Sequence, residues 1–539
     1  MLNSLTAYEC FWSPEFLEAC CQKIYQNPFW QEKNGEVQPL KNDNASLYFS
    51  NFLPALGFFK LHTESGFVPV QIKGNLIRIV NENDICEYIS YLFNQSATGI
   101  AVLDQMTLAH QKFFGKNILT SLRIKTGIKP LKDTRSTSYR FYRNCVIVVK
   151  ADEVRTMPYE EVGPGTYVFI NKIIDRDFEL SELMTEEEFL SDVTCHIGNH
   201  FYNWCRNLCR FRKENKWIFD QRAFKTLVSG FGYLLHRAWN EQKLVVFTDR
   251  NMVSGISNGR TGKSLVLNEA MEHVANTVVV NAKNLGRMTS DKFLFSEVSR
   301  ETDYICFDDG TIDFPLESLF STITGNLQVE AKHANKISIH KKDKPKMALS
   351  CNHPILGEGF SFTDRQHLVE VSDFYRYHKE ELYQDPIKLH GGYLFDDDWG
   401  NRNWREFDMF CVYSLRFYLK HGLVGGKASD DYRLAKLYNE TGSKELVQIL
   451  HRFLEDHKNQ TVYRKYSDNM DGESVLVDYV MKNATEKFSE PDVVKAFKAT
   501  AKYYGYQINR GNPDRKQKRF GDDRVDEYLI THSSEPFAG

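Results

Sequence analysis

The 539-residue chain is predicted to fold as an α/β protein, and two patterns carry that prediction. Residues 244–248 read as a short apolar strand, 249–262 as a glycine-bearing loop and 263–275 as a helix. Further short apolar strands follow at 277–281, 304–307 and 346–351. Strands that alternate with helical stretches assemble into a sheet with helices on its faces. Hydrophobic residues at 42% and charged residues at 26% exclude a wholly disordered or fibrous chain. Lys plus Arg is 68 and Asp plus Glu is 71, a net charge of −3 that excludes a histone-like binder. Any nucleic-acid contact must therefore come from local basic patches.

Along the chain, 82–93 reads as a helix with Asn81 or Asn83 near its start. A buried strand is predicted at 144–149 and a loop at 163–165. Residues 180–240 are helical by periodicity, with Glu186, Glu187 and Glu188 in a first turn after Thr185, where the helix dipole favours acids. A helix over 404–422 ends at Gly422. The last 70 residues or so read as helices at 474–482 and 490–503, then strands at 506–508 and 527–530. The expected organisation is an α+β accessory region (1–145), a mixed connector (146–240), the α/β core (241–385), a helical region (386–470) and a small C-terminal domain (471–539). No apolar run approaches the roughly 18 to 20 residues that span a bilayer. Residues 1–10 lack a signal-peptide pattern, so no membrane partner and a cytoplasmic location are expected.

Eleven cysteines are too sparse for a disulfide framework and suit a reducing compartment. Cys195, His196, His200, Cys205 and Cys209 lie in a stretch predicted as one helix, 185–209. Structural zinc sites gather four ligands through tight turns, so buried thiols and ordinary helix histidines are expected instead.

Ser257-Asn258-Gly259-Arg260-Thr261-Gly262-Lys263-Ser264 nearly fits the pattern G-x-x-x-x-G-K-[ST], with Ser257 in place of the first glycine. Small residues let backbone N–H groups wrap phosphate oxygens, and the following helix aims its positive end at them. Lys263 would reach the β/γ-phosphates and the Ser264 hydroxyl would bind Mg²⁺. Gly425-Gly426-Lys427-Ala428 is a decoy, lacking the hydroxyl. The run Tyr304 to Phe307 ends in Asp308 and Asp309, which would hold the Mg²⁺ and polarise the attacking water. Asn352, ending the strand at 346–351, would orient that water or sense the γ-phosphate. Arg365 is expected to act as an arginine finger in a neighbouring subunit's site. Between these elements, 332–346 is a basic ribbon holding Lys332, Lys336, Lys341, Lys342, Lys344 and Lys346 against Asp343. Alternating Ile337 and Ile339 suggest a hairpin, and the charge suits backbone contacts to nucleic acid.

The order Thr261-Gly262-Lys263-Ser264, Phe307-Asp308-Asp309, Thr324-Gly325-Asn326 with Lys332-His333, Ser350-Cys351-Asn352, then Asp364-Arg365 resembles superfamily 3 helicases, AAA+ motors of viruses, phages and plasmids. The phrases around Gly259 to Ser264, Lys344-Pro345-Lys346 and Ile173-Ile174-Asp175-Arg176-Asp177-Phe178 are similar to helicase regions of phage primase–polymerases, such as that of a deep-sea vent phage, and the set resembles poxvirus-like primase–helicases. Glu330-Ala331-Lys332-His333 looks like the DNA-binding hairpin of papillomavirus helicase. The resemblance implies an AAA+ P-loop NTPase core, ATP with Mg²⁺, and hexamers that translocate on single-stranded or forked DNA. It also implies that Lys332 and His333, with Lys336 as a weaker candidate, contact the strand.

Asp175 and Asp177 mimic a primase acid pair, but Arg176 separates them and no second catalytic acid follows, so a structural role is expected. Residues 1–145 would load DNA, or bind an origin, a replication initiator or a primase. The C-terminal helices and a hairpin bearing Arg510, Arg515, Lys516, Lys518 and Arg519 describe a winged-helix-like module for duplex DNA. The reading is an ATP-dependent replicative DNA helicase of a phage or mobile element. Its rivals are an AAA+ ATPase switch that never unwinds, an RNA-directed motor, and the helicase part of a primase–helicase.

Overall fold

A computed structural model describes residues 9–26, 29–39, 45–63, 66–114, 117–192, 199–250, 259–284, 293–330, 336–357, 359–376, 385–425, 428–465, 475–509 and 516–532. Its centre is a sheet that follows helix α1 (Gln221–Leu235). The strands from there are β1 (Leu244–Asp249), β2 (Thr277–Asn281), β3 (Tyr304–Gly310), β4 (Leu327–Val329), β5 (Ile337–Ile339), β6 (Lys346–Cys351) and β7 (Gln366–Val371). Five of them form one all-parallel sheet in the order β2-β3-β6-β1-β7. The strand bearing the predicted Asn352 thus lies between the phosphate-loop strand and the acidic strand. β1 and β6 are buried at every position, as strands covered on both faces must be.

The sheet's two faces feed two cores. Val245, Phe247, Tyr304, Cys306 and Ala348 pack with Leu227 and Phe231 of α1 and Phe410. Leu244, Val246, Ile305, Phe307 and Leu349 pack with Leu316, Leu319 and Ile323. Successive side chains of a strand point to opposite faces, which makes this sorting possible. Asp220 caps α1 by accepting from the N–H groups of Arg222 and Ala223. α2 (Phe320–Thr324) precedes the β4–β5 hairpin, and α3 (Gly400–His421) crosses α1. A Cβ on Gly232 would lie 2.1 Å from the Ser414 carbonyl oxygen, so only glycine permits that crossing. α3 stops at Gly422, whose φ is 68°, as expected for a helix end.

The N-terminal region is mixed α+β. Helix Glu82–Phe93 is closed by an Asn81–Asp84 capping box, and its core gathers Phe29, Phe49, Phe52, Phe93 and Phe113. The expected boundary at 145 falls inside an antiparallel hairpin, Thr137–Tyr142 with Val146–Lys150. The predicted strand at 144–149 starts only at Val146, because Tyr142 and Cys145 exchange the backbone bonds that close the turn.

The single helix expected over 185–209 is two. Thr185 and Glu188 form a capping box on Glu186–Phe189, and Asn199 caps His200–Leu208. Cys195 and His196 lie outside the described residues. Cys205 and Cys209 are buried, and burial pushes both thiols up, as for inert structural cysteines. Among the described residues no cluster suited to a metal occurs. A hairpin, Arg210–Lys213 with Lys216–Phe219, replaces predicted helix; Glu214 and Asn215 both take positive φ at its turn.

α4 (Asp430–Thr441) leads into the C-terminal unit, which comprises α5 (Lys444–Asp456), β8 (Thr461–Tyr463), α6 (Leu476–Asn483), α7 (Glu490–Tyr503), β9 (Tyr506–Ile508), β10 (Gln517–Phe520) and β11 (Asp523–His532). β11 pairs antiparallel with β8, β9 and β10. Leu446, Leu450 and Phe453 of α5 and Val462 of β8 share a core with Val480, Phe497, Tyr528 and Ile530. α5, capped by Ser443, precedes the expected start at 471, and its apolar face packs in this same core.

Candidate functional site

The candidate phosphate loop follows β1, whose C-terminal end is where parallel sheets place their ligands. Ser257 and Asn258 lie outside the described residues. Gly259 and the exposed Arg260 lead to Thr261, Gly262 and the helix opening at Lys263. Gly262 has φ +96°, and a Cβ there would lie 2.6 Å from the Trp204 ring. Trp204 donates from Nε1 to the Gly262 carbonyl (3.4 Å) and stacks on Tyr375 at 4.1 Å. Trp204 was not among the predicted site residues; an aromatic on an amphipathic helix carries no sequence signal of what it packs against.

Lys263 is buried, at 5% exposure. Its Nζ donates to Asp249 Oδ1 (2.5 Å), Thr261 Oγ1 (2.9 Å) and Asn352 Oδ1 (2.8 Å), which uses all the donors of an ammonium. Thr261 Oγ1 also donates to Asp249 Oδ1, at 2.7 Å. Asp249 is 2% exposed, and its other oxygen, Oδ2, is buried with no hydrogen-bond partner among the described residues. The sequence marks Asp249 only as the first loop residue; a lone acid between an apolar strand and a glycine loop was the available signal.

Asp308 and Asp309 form an irregularity in β3, where the register with β6 shifts between Phe307 and Gly310. Asp309 takes φ 59° and accepts from Asn352 Nδ2 at 3.5 Å. Lys283, absent from the sequence reading, pairs with Asp309 Oδ2 at 2.6 Å. The Asp309 carboxylate beside it pushes the Lys283 ammonium up. Asn352 thus bridges Lys263 and Asp309, joining the helix opening to the ends of β3 and β6. Asp308 is half-buried on the same strand, opposite Asn281, and Ser264 is exposed.

Arg365 stands apart. Its carbonyl accepts from Leu244 N (2.8 Å), at the start of β1, whereas Lys263 meets Asp249 at that strand's other end. A six-residue strand spans about 17 Å, so Arg365 does not reach its own chain's phosphate loop. Its guanidinium lies 4.6 Å over the Phe320 ring and donates to the Ser361 carbonyl (2.9 Å).

The basic ribbon is not one solvated surface. Lys332 and His333 lie outside the described residues; β4 and β5 pair on either side of them. Lys336 pairs with Glu330 at 2.7 Å. Lys341 lies over Trp239, 5.1 Å from the ring centre. Lys344 donates to the carbonyls of Thr322 (2.6 Å), Ile323 and Gly325 (3.3 Å) at the end of α2, where a cation suits the helix dipole. Lys346 is buried, donating to the Ala238 carbonyl (3.0 Å) with its ammonium 4.0 Å from the Tyr233 ring centre. Burial pushes Lys344 down to about 8 and Lys346 to about 7. The charge run therefore overstates the lysines available to a strand.

In the Asp175-Arg176-Asp177 stretch, Arg176 and Asp177 are engaged in contacts within the fold. Arg176 donates to Asp408 from Nε (2.9 Å) and lies 4.8 Å over Trp404, while Asp177 accepts from Arg143 (2.9 Å). These residues line a cavity of about 920 Å³ remote from Lys263, in which Lys172 and Arg237 share Asp303.

No family model and no curated protein matches the sequence. Among solved structures, the chain is similar to the C-terminal region of NrS-1. One such structure shares 10% identity at TM-score 0.41, covering 90% of this chain and 99% of that one. Another, the A form of the apo region, shares 11% at TM-score 0.39, covering 86% and 88%. A JCV helicase structure shares 12% identity at TM-score 0.25, covering 48% of this chain and 74% of that one.

Proposed function

We propose that the chain is an AAA+ motor of the superfamily 3 type, a replicative DNA helicase of a phage or mobile element that works as a ring, in keeping with a hexamer. The observation that carries the reading is the Lys263–Asn352–Asp309 chain of hydrogen bonds at one end of the parallel sheet, next to a glycine loop that opens a helix. ATP is the substrate this arrangement suits. Asp249 occupies Lys263 with one oxygen, and its other, buried oxygen has no partner among the described residues, an acceptor left for a donor or a cation. Arriving phosphate takes over the Lys263 ammonium. The hydroxyl of Ser264 and the carboxylate of Asp308 would hold Mg²⁺, which neutralises phosphate charge when bound. Asn352 orients the attacking water, and Asp309 accepts its proton. Loop backbone donors from Ser257 to Gly262 cradle the phosphates. Arg365 serves the neighbouring subunit, since its own site is a strand length away.

Lys332 and His333, with Lys336 beside them, contact single-stranded DNA from the hairpin formed by β4 and β5. The C-terminal unit has the helix–strand–helix–helix–strand–hairpin order of a winged helix and is assigned to duplex DNA. The burial of Lys346 and the capping role of Lys344 favour one rival, an oligomeric ATPase switch that does not unwind, because they remove cations from the DNA-facing ribbon. ATP hydrolysis by the full chain, measured with and without single-stranded DNA, tests the motor; forked-duplex unwinding separates helicase from switch. Hydrolysis at the wild-type rate in Lys263→Ala would remove the basis of both.

A further inference from the structure

An aromatic side chain from outside the sheet grips the backbone of the candidate phosphate loop. Trp204 lies on the helix His200–Leu208, which Asn199 caps. Phe201, Cys205 and Leu208 of that helix are buried in the core that also packs Val245 and Phe247 of β1. The Trp204 ring stacks on Tyr375, with centres 4.1 Å apart and planes at 16°. Tyr375 is fixed in turn: its hydroxyl accepts from Asn207 Nδ2 (3.1 Å) and meets His390 Nε2 (2.8 Å). Asn207 Oδ1 accepts from Arg210 Nε at 2.9 Å. The indole, 7% exposed, is thereby held in one plane and at one depth.

Two contacts then reach the loop. The indole Nε1 donates to the Gly262 carbonyl at 3.4 Å. The ring edge lies against Gly262, where a Cβ would stand 2.6 Å from Cζ2, 3.0 Å from Cε2 and 3.1 Å from Nε1. Gly262 has φ +96°, a conformation that side chains disfavour. Asp249 already holds the side chains of Thr261 and Lys263. The stretch is thus gripped by Asp249 through its side chains and by Trp204 through its backbone. The Gly262–Lys263 peptide is trans and planar, so its C=O and N–H point in opposite directions. Holding the Gly262 carbonyl on the indole therefore turns the Lys263 N–H to the other side, away from Trp204. Successive N–H groups turned one way form the concave cradle that takes phosphate oxygens.

We propose that Trp204 is a positioning residue for the phosphate tail of a nucleotide: its indole N–H locks the Gly262–Lys263 peptide in the orientation that aims the Lys263 N–H at the ligand. The proposal rests on the reading of this loop as a nucleotide site and deepens it. The ligand class is a nucleoside di- or triphosphate, because the locked donor serves phosphate oxygens and neither base nor sugar. Trp204 touches no reacting atom and acts through the Gly262 backbone. Without the indole donor the peptide can rotate about its flanking dihedrals, where Gly262 offers no side-chain barrier. Ordering of the loop then weighs against nucleotide binding.

The test compares the wild-type chain with two variants. Trp204→Phe keeps a ring on Tyr375 but has no N–H. Tyr375→Phe removes the hydroxyl contacts of the same cluster and leaves the indole donor in place. Isothermal titration gives affinities for ATP, ADP and adenosine with Mg²⁺, and steady-state assays give KM and kcat. In Trp204→Phe, ATP and ADP should bind about tenfold more weakly and KM should rise by the same factor, with kcat within about twofold. Adenosine affinity should stay at the wild-type value. Tyr375→Phe should lower the thermal midpoint and leave ATP affinity and KM unchanged. Should Trp204→Phe fold poorly, site-specific replacement of the Trp204 indole by benzothiophene, the same bicycle without the N–H, should show the same loss for ATP. Unchanged ATP affinity in the Trp204 variants would overturn the proposal, as would an equal loss for adenosine or in Tyr375→Phe. The motor reading fails by a different signature, a wild type that binds ATP but hydrolyses none, and the affinity comparison then still decides the role of Trp204. A wild type that binds no ATP overturns both.

Discussion

Lysines in two regions of this molecule, the phosphate loop and the ribbon at 336–346, meet different fates. Lys263 is buried against a carboxylate, a hydroxyl and an amide, and stays beside the groups that would handle a nucleotide. Lys346 is as deeply buried, but it meets one carbonyl and an aromatic face, and its charge is pushed down to about 7. Burial disfavours an ammonium's charge, and for Lys346 it outweighs the pull of Asp133 and Glu241. A run of lysines in sequence is therefore not a run of cations in space, whereas one lysine beside Asp249 forms a working pair.

The largest expected effect lies in the phosphate loop. Lys263→Ala should lower ATP turnover by at least about a hundredfold, since it removes the cation that meets developing phosphate charge. A coupled enzymatic assay for ADP release reads this, and a loss under threefold would break the contrast between the two regions.

Asp249→Asn should sharpen it. Removing the internal anion leaves Lys263 short of a counter-charge until phosphate arrives, so nucleotide binding should tighten by about tenfold. Titration with a fluorescent ATP analogue measures the shift; weaker binding would make Asp249 a direct part of the nucleotide site instead. Because the pair is buried, the free variant should also lose roughly 3 kcal/mol of stability, with bound nucleotide restoring part of it.

Arg365 gives a smaller and more specific effect. Mixtures of inactive Lys263→Ala and inactive Arg365→Ala chains should regain a fraction of ATPase, because one shared site keeps both groups. Absence of rescue at every mixing ratio would tie Arg365 to its cage on Phe320 and Ser361.

The ribbon's signature is in pH. Lys346 is held at about 7 when folded against 10.5 for an ordinary lysine, so between these values the unfolded chain binds a proton that the folded chain does not. Its contribution to stability is therefore greatest at high pH and is lost as pH falls toward 7, by at most about 1.4 kcal/mol per unit. Lys346→Met should flatten that slope in denaturant midpoints taken from pH 7 to 9. An unchanged slope would mean that the Tyr233 face and the Ala238 carbonyl keep the ammonium charged.

Local signals determined much of this protein. Strands 277–281 and 346–351 and helices 82–93 and 490–503 were legible because each reports a short-range rule: a short apolar run, a capping asparagine, or a proline in the first turn beside acids. The parallel class followed from their alternation. Lys263, Asp309 and Asn352 could be picked out because strand ends in such sheets collect functional side chains. Tertiary structure decided the rest. The hairpin at 210–219 broke a helical pattern because its turn needs two residues at positive φ, which periodicity does not encode. Helix 444–456 joined the C-terminal unit because its apolar face packs in that unit's core. Asp249 and Trp204 entered the candidate site, and Lys344 and Lys346 left the ribbon, for one reason. A side chain's charge and function depend on what lies within hydrogen-bond reach of it, and those neighbours come from segments tens to hundreds of residues away.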